Sequence, residues 1–247
     1  MITRLKLDEL AEKYETVEFI KDDPIQFPHR YQNIREIELV GFISSLFAYG
    51  NRKVFIQKLE ELFFKMGENP IEYIKNADFS NLKGFYYRFA KEEDVISIFQ
   101  VLSKLYNSND SLENLFRHGY EKTNDIIGML QIVADYFYSN TQIHTSGFTF
   151  MIANPKNKGA MKRMNMFLRW MVRKSNVDFG IWKFIKTCDL LIPLDTHVAK
   201  LSRQMGLLTR KGNDIKSVLE ISNRLKELNF DDPIKYDFAI FGLGVNT

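Results

Sequence analysis

Apolar residues recur every three or four positions along most of this 247-residue chain, which is the spacing of one face of an α-helix. The pattern is densest over 36–49, where the helix is expected to be buried. Nine further segments share it: 2–14, 52–66, 93–106, 124–138, 160–174, 180–187, 196–206, 214–228 and 234–241. The sequence therefore predicts an all-α protein of about ten helices.

Two segments break the helical pattern. In 22–31, Pro24 and Pro28 disfavour helix, and an extended loop is expected. Segment 141–152 is rich in β-branched and aromatic residues, which fits a short strand and a loop equally well.

Composition excludes several classes of protein. The longest mainly apolar stretch, 39–50, is too short to cross a bilayer, and the N-terminus becomes acidic before an apolar core can form, so neither a membrane span nor a signal peptide is expected. Cys188 is the only cysteine, which rules out an intrachain disulfide and a cysteine-ligated iron–sulfur cluster. We expect a cytoplasmic protein without a metal or another cofactor.

Positive charge is concentrated in one third of the chain. The net charge is only +3, yet residues 155–212 hold thirteen Lys and Arg against three Asp. Within 155–174 there are seven basic residues and no acidic residue to pair with them. Such a segment is commonly a solvated helix face, but the lack of local acids favours a phosphate-rich partner.

The helix predicted over 160–174 carries much of this charge. At 100° per residue, one face is apolar and the opposite face holds a stripe of Lys162, Asn165, Arg169 and Arg173. The loop before the helix adds Lys156 and Lys158, close to backbone N–H groups that favour a phosphate. The stripe is therefore interpreted as an exposed phosphate-binding surface, with a solvated helix that binds no ligand as the alternative.

Asp195 follows an apolar approach and a proline, and it opens the next predicted helix. The pattern is typical of an N-cap, in which the carboxylate accepts hydrogen bonds from the first N–H groups of the helix. A cap also fixes the position of the carboxylate, which suits a catalytic acid or base. His197 has no second ligand at metal-binding spacing, so no metal is expected there.

The run around Asp195 carries a family resemblance. Residues 191–207 read LIPLDTHVAKLSRQMGL and resemble the segment of the helix-hairpin-helix DNA glycosylase superfamily that contains the catalytic aspartate. Segments 38–52 and 235–242 are similar, in the same order, to an early helix and the closing helix of those enzymes. Segments 23–31 and 162–170, together with the run around Asp195, also resemble a bacterial family whose function is not established.

The glycosylase resemblance implies two helical lobes with a DNA-binding cleft between them. One lobe would span 36–190 and carry the basic helix, and the other would combine 1–35 with 191–247. The activity implied is excision of a damaged base, an oxidised purine above all, by base flipping, with AP lyase activity if a lysine attacks the sugar. Asp195 would be the catalytic carboxylate.

The choice of lysine depends on where the sequence departs from the family. The usual Leu-Pro-Gly-Val-Gly hairpin is missing, and 178–182 occupies its place. Lys183 and Lys186 lie just after it, where bifunctional members carry the lysine that attacks the sugar. The archaeal 8-oxoguanine branch is similar in having a divergent hairpin and a lysine further upstream, which favours Lys162, located 33 residues before Asp195. The pairing requires the two side chains to share one cleft.

The resemblance and the charge together imply a monomer that binds double-stranded DNA in the cytoplasm, associated with the nucleoid. The residues expected to contact DNA are Lys156, Lys158, Arg163, Asn165, Arg169, Arg173, Tyr49, Asn51, Arg52, His197 and Lys200. A base-stacking surface would come from Phe148, Phe150 or Trp170. Two alternatives stay open: a non-catalytic DNA-binding protein on the same fold, and an RNA-directed or metabolic protein.

Overall fold

A computed structural model describes residues 2–245, and these are mostly helical, which confirms the all-α prediction in its coarse form. The α-helices are α1 (Arg4–Tyr14), α2 (Val17–Ile20), α3 (Ile34–Phe47), α4 (Arg52–Met66), α5 (Pro70–Asn76), α6 (Glu92–Asn107), α7 (Leu112–Thr123), α8 (Ile126–Asn140), α9 (Ser146–Met151), α10 (Lys162–Val172), α11 (Thr196–Gln204), α12 (Ile215–Leu228) and α13 (Tyr236–Val245). A small antiparallel hairpin pairs β1 (Tyr86–Tyr87) with β2 (Ala90–Lys91). Short 3₁₀ turns lie at Pro24–Gln26, Pro28–Arg30, Ser80–Leu82, Pro155–Asn157, Thr187–Asp189 and Pro233–Lys235.

The chain forms two compact units. The central unit is Asp23–Pro155, and the terminal unit combines the residues up to Asp22 with those from Lys156 onward. This division differs from the expected lobes of 36–190 and 1–35 with 191–247, because α10 belongs with the chain ends. The physical reason is that its charged face pairs with carboxylates on both of those ends.

The central unit is built around α3, which is buried along most of its length. Helices α5 and α7 contact it, α5 packs on α6, and α7 packs on α8. The buried carboxyl group of Glu38 on α3 accepts hydrogen bonds from the Tyr106 hydroxyl at 2.9 Å and from the Glu113 N–H at 3.1 Å. Both oxygens of this carboxyl group therefore have partners inside the core.

The terminal unit places α13 between α1 and α11. Leu7, Leu10 and Ala11 form the buried face of α1. The indole rings of Trp170 and Trp182 are fully buried. Within residues 2–245, no helix has both the length and the apolar character that crossing a membrane requires.

Most of the predicted helices lie where the periodicity put them, and the helix predicted over 52–66 matches α4 at both ends. The helix predicted over 180–187 is wrong. Gly180 adopts a φ of 59°, and this segment bonds to the end of α10 instead: the Trp182 N–H donates to the carbonyl of Met171 at 2.8 Å.

Both segments that were expected to lack helix contain some. In 22–31, Pro24 and Pro28 each start a short 3₁₀ helix, since proline is tolerated in the first turn, where its missing N–H is not needed. In 141–152, Thr145 caps α9 by accepting from the Phe148 N–H at 3.1 Å. The β1–β2 hairpin, the short helices α2 and α5 and the 12-residue helix α7 were not predicted.

Candidate active site

Lys162 is the first residue of α10, and the chain before it is held in place. Met161 has a φ of 53°, which turns the backbone sharply into the helix. Just upstream, Gly159 pairs with Asp214, and the Ile215 N–H donates to the Lys158 carbonyl at 3.0 Å. The start of α10 is thereby fixed against the start of α12.

Asp195 is the N-cap of α11, as its sequence context predicts. Its Oδ1 atom accepts hydrogen bonds from the N–H groups of His197 and Val198, both at 2.9 Å. The other carboxylate oxygen remains available for a partner. The cap therefore orients the carboxylate before any ligand is present.

The second carboxylate oxygen of Asp195, Oδ2, contacts Lys162. The Nζ atom of Lys162 lies 3.0 Å from Oδ2 of Asp195, and the two side chains are 33% and 21% exposed. Burial raises the pKa of Asp195, but the Lys162 charge and the hydrogen bond from Val198 outweigh it and hold this pKa below its ordinary value. Two residues 33 positions apart thus form a close ion pair with partial access to solvent.

Arg169 lies two helical turns beyond Lys162, and its buried side chain binds two carboxylates. Its Nε atom donates to Asp178 at 3.2 Å, and its Nη1 atom bonds to Asp237 on α13. Its guanidinium also lies 4.4 Å from the ring centroid of Phe238. The side chain is only 5% exposed.

Arg173, at the end of α10, is buried in the same way. It forms two bonds to Glu15, the second at 2.9 Å, and its Nε atom donates to Asp232 at 2.9 Å. Its Nη1 atom donates to Asp178 at 3.0 Å, so Asp178 bridges the two arginines. Burial lowers the pKa of Arg173, but these acidic neighbours more than compensate and raise it above its usual value.

The prediction of an exposed stripe is therefore wrong for Asn165, Arg169 and Arg173. All three are buried, and Asn165 bonds to the Ala160 carbonyl at 3.2 Å. Their side chains bind other parts of the terminal unit rather than facing solvent. The acids that pair with the arginines lie outside the 155–174 window, which is why the local charge count missed them.

Asp237 is a site residue that the sequence analysis did not single out. It is buried, and burial raises its pKa to about 6 in spite of the charge and hydrogen bond of Arg169. The negative charge of Asp195 raises this pKa further and the positive charge of Lys162 lowers it, so these groups are electrostatically coupled. The only sequence signal was an acidic residue at the start of an otherwise apolar helix.

The other predicted DNA-binding residues of the terminal unit lie mainly on the surface. Lys156, Lys158, His197 and Lys200 are exposed, and Arg163 is half-buried. Lys183 and Lys186, the alternative nucleophiles, are exposed in the loop after α10.

Three more predicted residues belong to the central unit. Asn51 caps α4 and is exposed, while Tyr49 and Arg52 are half-buried. Phe148 and Trp170 are fully buried, so neither can offer a ring face to a base, whereas Phe150 is 36% exposed.

Among residues 2–245, no three His, Cys, Asp or Glu side chains are grouped so that they could hold a metal ion. Binding of duplex DNA and the monomeric state stay predictions.

Comparison with known proteins identifies one family. No curated protein and no solved structure matches the chain. The family model described as "Protein of unknown function (DUF2400)" matches residues 23–246. Because this match covers most of the chain, including Lys162, Asp195 and Asp237, the chain belongs to the DUF2400 family.

Proposed function

We propose that the protein is a DNA repair glycosylase with AP lyase activity, in which Lys162 is the nucleophile and Asp195 its acid–base partner. One observation carries the proposal: Nζ of Lys162 lies 3.0 Å from Oδ2 of Asp195, and both side chains are partly exposed. These are the two residues that the glycosylase resemblance selects. A nucleophile and a base at hydrogen-bonding distance are the minimum that covalent catalysis requires.

The cap gives Asp195 its catalytic geometry. Oδ1 is occupied by two backbone N–H groups, so Oδ2 is the oxygen that faces the amine. In the proposed reaction, Oδ2 accepts a proton from Lys162 and passes it to the leaving base, and the carboxylate, ionised again, stabilises positive charge that develops on the sugar. A carboxylate with a lowered pKa is ionised at neutral pH, as both roles require.

The substrate is a flipped nucleotide, an oxidised purine above all. The neutral amine of Lys162 forms a bond to C1′ while the bond between C1′ and the base nitrogen breaks, and the base leaves with the electron pair and gains a proton. The bond between C1′ and O4′ then opens, O4′ takes a proton, and an iminium ion joins Lys162 to the sugar. Loss of a C2′ proton expels the 3′ phosphate and cuts the strand.

DNA would be held by the exposed cations around this pair. Lys156 and Lys158 precede α10, Lys200 lies on α11, and the N-terminus of α10 favours a phosphate. Arg169 and Arg173 have no part in this surface, because carboxylates inside the protein already bind them. Phosphate contacts by the remaining lysines make binding salt-dependent.

Reductive trapping tests the proposal. The protein is incubated with a duplex that contains 8-oxoguanine, and separately with an abasic duplex, in the presence of borohydride, which reduces the iminium ion to a stable amine. We expect a covalent adduct with the wild type, none with Lys162→Gln, and an unchanged yield with the matched control Lys183→Gln. Absence of a wild-type adduct on both duplexes would refute the lyase activity. An adduct that is lost in Lys183→Gln and kept in Lys162→Gln would identify Lys183 as the nucleophile.

A second candidate is a non-catalytic DNA-binding protein on the same fold. The observation that favours it is the same ion pair, since a lysine bound to a capping carboxylate is complete as a structural contact and requires no reaction. Duplex binding without turnover of any damaged base would support this candidate.

A further inference from the structure

Three aromatic rings from three separate segments meet on the central unit. Tyr49 comes from the α3–α4 loop, Phe89 from the turn between β1 and β2, and Phe150 from α9. The ring centroids of Tyr49 and Phe150 are 4.8 Å apart, those of Phe89 and Phe150 are 5.1 Å apart, and the Tyr49 and Phe89 rings are nearly parallel, at 15°. Phe89 is nevertheless 57% exposed, so much of its side chain is accessible to solvent.

The hairpin that carries Phe89 is fixed to the α3–α4 loop. The Tyr49 hydroxyl donates to the Tyr87 carbonyl at 2.9 Å, and the Tyr87 hydroxyl donates to the Tyr49 carbonyl. Gly50, with a φ of 81°, allows this close approach, since a Cβ there would lie 2.7 Å from Nη1 of Arg88 and 2.8 Å from the Tyr87 hydroxyl. The exposed Phe89 ring therefore lies on a turn that hydrogen bonds fix in position.

Arg88 lies beside the aromatic cluster, and further basic residues are close to it in sequence. The Arg88 guanidinium lies 5.5 Å from the centroid of the Phe89 ring. The two segments that build the cluster's edge, 49–58 and 83–91, contain no acidic residue. Their basic residues are Arg52, Lys53, Lys58, Lys83, Arg88 and Lys91. An exposed aromatic face bordered by cations complements a nucleobase with its phosphates better than it complements an apolar protein surface.

We propose that the aromatic cluster of Tyr49, Phe89 and Phe150 is a stacking platform for an unpaired DNA base, with Arg88 and its neighbours contacting the phosphates. Every base has a π face, so such a platform accepts single-stranded DNA without sequence preference. The proposal rests on the DNA-binding half of the proposed function and is independent of the chemistry at Lys162.

Two single strands of equal charge test the platform. One is a short fluorescein-labelled oligothymidylate, and the other is a strand of the same length made of base-free tetrahydrofuran nucleotides. Fluorescence anisotropy at low salt measures both affinities. Stacking of one base is worth about 1–3 kcal/mol, so the wild type should prefer the thymidylate strand by about fivefold or more, and Phe89→Ala should lose that preference.

Control variants separate stacking from charge and from folding. Phe64, which is 88% exposed on α4, provides a matched exposed phenylalanine, and Phe64→Ala should keep the preference. Phe89→Trp should restore it, whereas Arg88→Gln should weaken binding to both strands. The platform is refuted if the wild type binds the two strands equally or if Phe89→Ala keeps the preference. Trapping reports the covalent adduct at Lys162 and anisotropy reports the binding of base-containing single strands, so failed trapping and a failed platform are distinct results.

Discussion

The two ends of α10 show what burial does to the same pattern of charge. At its start, Lys162 is 33% exposed and forms one ion pair, with Asp195. At its far end, Arg173 is 5% exposed and is shared by Glu15, Asp178 and Asp232. The four-residue periodicity that places both residues on one helix face does not distinguish these environments.

This difference separates a group that can react from groups that can only hold the fold. A buried guanidinium with several carboxylates has no room for substrate, and removing it leaves unpaired charges in the core. A partly exposed amine with one partner can exchange that partner for a substrate atom. Arg169 and Arg173 therefore stabilise the fold around the site. Lys162 is the residue of the stripe that has access to a substrate.

The largest expected effect comes from replacing a buried member of the stripe. Arg169→Met would leave Asp178 and Asp237 with one cation fewer inside the core and should reduce the free energy of unfolding by about 3–5 kcal/mol. Lys162→Met, the matched change at the exposed end, should cost less than about 1 kcal/mol. Urea denaturation followed by circular dichroism measures both, and similar losses would remove the distinction between the two ends.

Within the described part of the chain, Glu38 is a buried carboxyl group without a guanidinium partner of the kind that Asp178 and Asp237 have. Its hydrogen-bond donors are the Tyr106 hydroxyl and the Glu113 N–H. Burial raises its pKa from 4.5 to about 7. The folded state therefore binds this proton more tightly than the unfolded state does. The contribution of Glu38 is fully present below pH 4.5 and is lost as the pH rises through 7, a decrease of about 3 kcal/mol.

Glu38→Gln should remove this dependence. Denaturation at several pH values would give the difference in unfolding free energy between the wild type and the variant. That difference should shift against the wild type by about 3 kcal/mol between acidic and mildly alkaline pH. A difference that stays constant across this range would show that the pKa of Glu38 is the same in the folded and unfolded states.

The smallest expected effect concerns the cap. Asp195→Ala should cost about 1 kcal/mol of stability, as should the matched cap change Asp214→Ala on α12. Asp195→Asn keeps a capping oxygen and should be nearly as stable as the wild type, but it should give little borohydride adduct. Thermal unfolding and trapping are measured on the same samples, and full trapping by Asp195→Asn would leave the carboxylate with only its capping role.

Local sequence signals predicted local structure well. Asn51 and Gly67 bound α4 at the residues where the apolar periodicity starts and stops, and Asp195 and Asp214 cap their helices through bonds to N–H groups two or three positions away. The interactions that define these ends lie within one helical turn. A sequence window therefore contains all the information that is needed.

The charged stripe could not be placed in this way, because its partners are distant in sequence. Glu15 is 158 residues from Arg173, and Asp237 is 68 residues from Arg169. A count of acids within 155–174 therefore predicted unpaired cations where the fold supplies carboxylates. The Lys162–Asp195 pair was selected only through the glycosylase resemblance, since no periodicity relates two residues on different helices.

The ion pairs between α10 and both chain ends also impose an order on biosynthesis. The central unit is continuous, so all its residues are synthesised before α10, and it can fold while synthesis continues. The terminal unit has to wait, because α1 packs on α13 and Glu15 binds Arg173. Until α13 emerges, the apolar face of α1 stays uncovered and Arg169 lacks Asp237, so the Lys162–Asp195 site is among the last parts of the protein to form.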